Sequence, residues 1–187
     1  MRLPRFVPGE LDAEQAALYD DIAHGPRSKG TQHFALTADD GSLNGPFNAF
    51  LLAPGIARSL QSLGAAVRYE TNLTAREREL SILIAAAHWN SIFEQQSHEA
   101  VGRAAGLSES ELAEIRDGSI PNLADPREQT IASTVFALAN GDLDDEQWAR
   151  AAEHLGRSTI FELSTLVGYY STLALQLRVF RVDSSEE

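Results

Sequence analysis

Apolar positions recur at helical spacing along most of this chain, and no stretch sustains the two-residue alternation of a half-buried strand. After an extended arm over residues 1–9, opposed to helix by Pro4, Pro8 and Gly9, Asp12 with Gln15 three positions on predicts a capped helix over 12–23. Gly25-Pro26 ends it, and residues 25–53 hold no period. Within that connection, Leu43 through Phe50 mixes aromatics with turn residues, which suits an ordered segment packed on a core. Pro54 then opens a helix with Ile56, Leu60, Leu63 and Val67 on one stripe. Thr74-Ala75-Arg76-Glu77 is a second capping box, leading into a helix to about 88 that is apolar nearly all round and should be buried. A further helix runs from Ser91 to Gly106, and a short one from Ser108 to Gly118. Others run from Asp125-Pro126 to about 140, from Asp144 to about 155, and, strongly apolar, over 159–180. The tail 183–187 reads as a solvated end. The expectation is an all-α protein with at least about 55% helix and no sheet. It reads as a single domain over 1–187: an N-terminal arm, helix and loop over 1–53, one half over 54–118, and a second over 125–180.

Polar groups break this pattern at three places. On the helix after Ser91, Glu94 and His98 share the face of Val101 and Ala105, while Gln95, Gln96, Glu99 and Arg103 occupy the other. A carboxylate and an imidazole one turn apart on an apolar stripe are hydrogen-bonding neighbours, and the carboxylate raises the pKa of the imidazole. Glu79, on the preceding helix, has Ile82, Leu83 and Ala86 as its helical neighbours. Were 74–106 one straight helix, Glu79 and Glu94 would lie about 22 Å apart. A break at Trp89-Asn90-Ser91 folds the two helices together and lets Glu79, Glu94 and His98 converge.

Each residue also has a plainer role open to it. Ser91-x-x-Glu94 is itself a capping-box pattern, His98 could be satisfied by a backbone carbonyl, and Glu79 could sit in a structural ion pair with an arginine. His88 could pack near the turn or join the pocket. A metal set of His88, Glu94 and His98 lacks the H-E-x-x-H spacing, and no metal or other cofactor is expected. Tyr169-Tyr170 reads as core and interface. Arg76 or Arg78 could hold a substrate carboxylate.

Composition narrows the classes. The 187 residues include 15 basic and 27 acidic ones, a net charge of −12, and there is no basic patch, so nucleic acid is not an expected partner. No apolar segment is long enough to span a bilayer and no secretory leader is evident, so no membrane association and a cytoplasmic location are expected. There is no cysteine, which removes disulfides and thiol-based cycles from this chain.

Arg78-Glu79-Leu80 before an Ala-rich helix, His88-Trp89-Asn90, Glu94-x-x-x-His98-Glu99-Ala100 and Ala105-Gly106-Leu107-Ser108 together resemble the carboxymuconolactone decarboxylase family. That family shares the all-helical fold of alkylhydroperoxidase D. The resemblance extends to Gly45-Pro46-Phe47-Asn48-Ala49 upstream and to Glu162-Leu163 and Val167-Gly168-Tyr169-Tyr170 downstream. It implies a helical bundle, in keeping with an echo of Glu79–Ile84 in Glu162–Val167 that suggests two related halves. It also implies homo-oligomers such as trimers or hexamers. In the peroxidase branch, Glu79, Ser91, Glu94 and His98 stand where a glutamate, two cysteines and a histidine form the redox site; without thiols this chain cannot run that cycle, and its Glu-x-x-x-His form looks like the decarboxylase side. The implied activity is cofactor-free decarboxylation, or a related proton transfer, on a small carboxylated lactone or activated acid. His98 would be the proton donor, Glu94 would orient and tune it, and Glu79 would relay protons. His88, Phe47, Asn48 and Arg78 are the candidates to bind substrate. The alternatives are a non-catalytic helical oligomer, a small-molecule binding protein, or another proton-transfer enzyme on the same pocket.

Overall fold

The computed structural model describes residues 2–25 and 35–182; the tail 183–187 and the start of the long connection, 26–34, lie outside them. Among the described residues the structure is about 70% helical with no strand, only an isolated bridge between Thr37 and Leu43. The helices are α1 (Ala13–Ala23), α2 (Pro46–Phe50), α3 (Pro54–Tyr69), α4 (Ala75–Trp89), α5 (Ile92–Ala104), α6 (Glu109–Arg116), α7 (Pro126–Ala139), α8 (Asp145–His154) and α9 (Gly156–Phe180). None is long and apolar enough to cross a membrane. The chain divides into two compact units, Met1–Leu63 with Leu175–Glu187, and Gly64–Ala174.

In the first unit, Asp12 caps α1 through the Glu14 and Gln15 amides, and Gln15 returns a carbonyl to the Asp12 amide, as its spacing predicts. Leu18, Ile22 and Leu51 are fully buried there. The segment predicted to be ordered is α2, whose five residues are all buried. Asn48 accepts from the Phe6 amide at 3.1 Å and donates to the Pro4 carbonyl at 3.0 Å, which fastens the N-terminal arm.

The second unit is built around α4, which packs against α5, α6 and α7. Leu80 through Ala86 are all buried, which explains why the sequence shows no polar face there. The Thr74–Glu77 capping box forms as expected, and Arg127 donates to Glu77 at 2.7 Å. Asn90 takes a left-handed conformation (φ 50°, ψ 43°) and ends α4. The Ser91 amide donates back to the Ala86 carbonyl at 2.9 Å and the Asn90 amide to Ala87, the paired bonds of a Schellman turn. α5 then folds back on α4. Gly102 permits the close approach, because a Cβ there would lie 2.9 Å from Leu107 and 3.3 Å from Leu83. The turn is tied to α9 by Trp89, whose indole donates to Ser171 at 2.9 Å. The two echoed glutamates do different work: Glu79 is buried, whereas Glu162 accepts from the backbone and side chain of Asn72.

Candidate active site

Folding α5 against α4 brings Glu79, Glu94 and His98 together, as the break at Asn90 requires. All three are buried, with 0%, 3% and 5% exposure. His98 Nδ1 lies 2.7 Å from Glu79 Oε2, and its Nε2 lies 3.4 Å from Glu94 Oε2. The imidazole is thus clamped by a tight carboxylate on one nitrogen and a looser one on the other. This differs from the sequence expectation in one respect: the orienting partner is Glu79, across the helix pair, rather than Glu94 one turn away. Register between two packed helices sets that distance, and spacing along one helix does not contain it.

The plainer reading of Glu94 as a helix cap is not what forms. The Ser91 side chain makes no capping bond to α5, and its amide is already used by Ala86. Helix α5 begins without the Glu94 carboxylate, which is left to face His98.

Electrostatics follow from this enclosure. Burial opposes charge on His98, but its contacts with Glu79 and Glu94 outweigh that and push the imidazole up to about 9. Burial likewise would raise Glu79, yet the hydrogen bond and charge of His98, with Arg78 and Arg68 behind, hold its carboxyl below the usual range. Both shifts favour, at neutral pH, a buried imidazolium held against an ionised Glu79, with Glu94 facing its other nitrogen. Glu79 Oε1, the oxygen turned away from His98, is 3.6 Å from Arg78 Nε, and both atoms are enclosed without a hydrogen-bond partner.

The remaining candidates separate. Arg78 joins the cluster through Glu79. Arg76 does not: it donates to Glu128 at 2.9 Å, to Glu111 at 2.7 Å and to the Gly106 carbonyl, and so pins α4 to α6, α7 and the end of α5. His88 is exposed and lines a groove of about 250 Å³ with Ile84, Ile115 and Phe136. Nine residues separate it from Glu79, half a rotation around α4, so it faces away and the trio His88, Glu94 and His98 is not assembled. Phe47 and Asn48 belong to the first unit, where Phe47 packs edge-on to Phe50 at 5.7 Å. The Asn48 amide is spent on the N-terminal arm, which accounts for its burial.

One contact escaped the sequence reading. The Tyr170 ring, on α9, meets the His98 ring at 5.3 Å and 88°. A tyrosine on an apolar helix carries no local mark of such a partner. Burial, then the charges of Glu94 and Glu79, raise its hydroxyl well above the ordinary value, so it remains a phenol.

No curated protein matches the chain. A model of the carboxymuconolactone decarboxylase family matches residues 54–146, a span that holds Glu79, Glu94 and His98 and stops short of Tyr170. With that match over about half its length and the helical fold around these three residues, the chain belongs to the carboxymuconolactone decarboxylase family.

Proposed function

We propose that this protein is an acid–base enzyme that decarboxylates a small carboxylated lactone or similarly activated acid, with His98 as the proton donor to carbon. The observation that supports this reading is the unequal clamp on a buried imidazolium. Nδ1–H is committed to Glu79 at 2.7 Å, while Nε2–H, 3.4 Å from Glu94, is the proton free to leave. In the reaction the bond between the substrate carbon and its carboxylate breaks. The electron pair passes into the neighbouring carbonyl as an enolate, and CO₂ departs. The enolate then takes the Nε2 proton on carbon and its carbonyl re-forms. His98 is left neutral between two carboxylates whose charge favours its reprotonation. Arg78, with an unpaired Nε beside Glu79, is the candidate to hold the substrate carboxylate.

A panel of carboxylated lactones incubated in D₂O tests this. CO₂ release with one deuteron on the product carbon is expected. Deuterium exchange without CO₂ would indicate another proton-transfer enzyme. Saturable binding with neither would favour the binding-protein reading.

We further propose a homo-oligomer. Phe161, Tyr69 and Ile92 are 73%, 63% and 53% exposed, more apolar surface than a lone protomer comfortably leaves in water. Light scattering at micromolar concentration should return a multiple of the 20.4 kDa chain mass; a clean monomer would contradict this.

A further inference from the structure

Helix α9 brings to the site a residue to which the acid–base reading gives no part. Tyr170 is 7% exposed, and its ring stands perpendicular to the His98 imidazole at 5.3 Å. Behind it the Tyr169 ring packs edge-on to Tyr170 at 5.2 Å and 89°. Tyr169 in turn sits over Gly64 of α3, where a Cβ would overlap the tyrosine hydroxyl and lie 2.7 Å from its Cζ. Glycine, tyrosine, tyrosine and histidine thus form a continuous stack in which each member limits the movement of the next. A perpendicular pair at this distance stabilises a cationic ring through the quadrupole when the imidazolium edge meets the tyrosine face, and that is the arrangement assigned to Tyr170.

We infer that Tyr170 is a positioning residue for His98: its ring fixes the plane of the imidazolium and sustains its charge, braced by Tyr169 on Gly64. The inference rests on His98 being the proton carrier, and it concerns a residue beyond the matched family span.

The groups facing His98 are Glu79 from α4, Glu94 from its own helix and Tyr170 from α9, with Arg78 and Arg68 acting behind Glu79. Tyr170 stays a phenol across the range in which His98 titrates, so the effect of the ring can be read from His98 alone.

The test is an NMR titration of His98 in ¹⁵N-histidine-labelled full-length protein, comparing the native chain with Tyr170→Phe and Tyr170→Leu. The native value should be near 9. The Phe variant should keep it, and the Leu variant should lower it by about one unit, the scale of a desolvated cation–ring contact. An unmoved Leu variant overturns the inference. So does a Phe variant that falls as far as Leu, because the hydroxyl would then be the active part. Where the Leu variant fails to fold, Tyr170→Met, which keeps more of the bulk but has no aromatic face, takes its place with the same expected fall, and an unmoved Met variant overturns the inference in the same way. A native His98 that titrates at its ordinary 6.5 sinks the proton-carrier reading together with this one, whereas a high native value with an unmoved Leu variant sinks this one alone.

Discussion

Replacing His98 with Gln is expected to lower turnover by about 10²–10⁴-fold, the scale of one positioned acid–base group. Gln is the informative substitution because it is neutral, close to the imidazole in size and still a donor at about the position of Nε2, so the buried carboxylates keep a polar neighbour without a transferable imidazolium proton. His98→Ala should cost as much activity but also stability, since it leaves Glu79 and Glu94 enclosed without their cation. Turnover is therefore read per folded molecule. Glu94→Gln should slow the reaction and shift its pH profile by far more than a lost cap could, the stability at stake being the part of the His98 charge that Glu94 sustains. The structure gives the reason: the Ser91 amide is held by the Ala86 carbonyl, so α5 does not depend on Glu94 as a cap. Were Glu94 only a cap, its loss would cost on the order of 1 kcal/mol of stability, with activity tracking the folded fraction. Normal turnover in both His98→Gln and Glu94→Gln, measured on a substrate that the native protein decarboxylates, would remove the pair from the mechanism.

Stability should fall markedly as pH rises from neutral. The imidazole of His98 goes from 6.5 to about 9 on folding. A raised folded value contributes stability that is fully present below about 6.5 and is lost as pH climbs through about 9. A shift of this size corresponds to on the order of 3 kcal/mol across that window. Glu79 runs the other way. Its folded value is depressed, so its contribution is present above the ordinary carboxyl range and is lost as acid titrates it in the folded state. The stability maximum is therefore expected between about pH 5 and 7, a range that follows from those two shifts. Denaturant melts at pH 6 and pH 9.5 check the alkaline limb. Glu79→Gln should flatten that limb, because His98 loses the carboxylate that contributes most to its charge. An equally stable native protein at both pH values would show that His98 is not an imidazolium in the fold.

Much of this arrangement is legible in the sequence, and for physical reasons. Helix starts announce themselves through local bonds, as with Asp12 and Gln15, Thr74 and Glu77, and Asp144 and Gln147, each of which forms the reciprocal cap its spacing predicts. The conflict between a charged residue and an apolar face is equally local, and it identifies Glu79, Glu94 and His98 as residues that need one another. The turn at Asn90 follows from the same requirement. His88 illustrates a signal that is present but easily set aside: its position half a rotation from Glu79 already places it on the far face of α4.

What the sequence does not carry is the geometry between elements. The tighter partner of His98 is Glu79, nineteen positions away, because the packing of α5 against α4 brings their side chains to 2.7 Å. Arg76 looks like a free cation beside the site, yet its partners Glu111 and Glu128 arrive from α6 and α7. Tyr170 is the extreme case, a core-like residue on an apolar helix whose partner lies on another element. Asn48 similarly sits in a stretch that resembles the family, while its bonds go to the N-terminal arm.

The charge state of His98 at pH 7.5 is the most direct test of the account, and one ¹⁵N spectrum of histidine-labelled protein reads it. A ring with both nitrogens protonated, persisting until the pH approaches 9, is the predicted result. A neutral ring at pH 7.5, with one nitrogen bare, would contradict the buried imidazolium on which the proposed proton transfer depends.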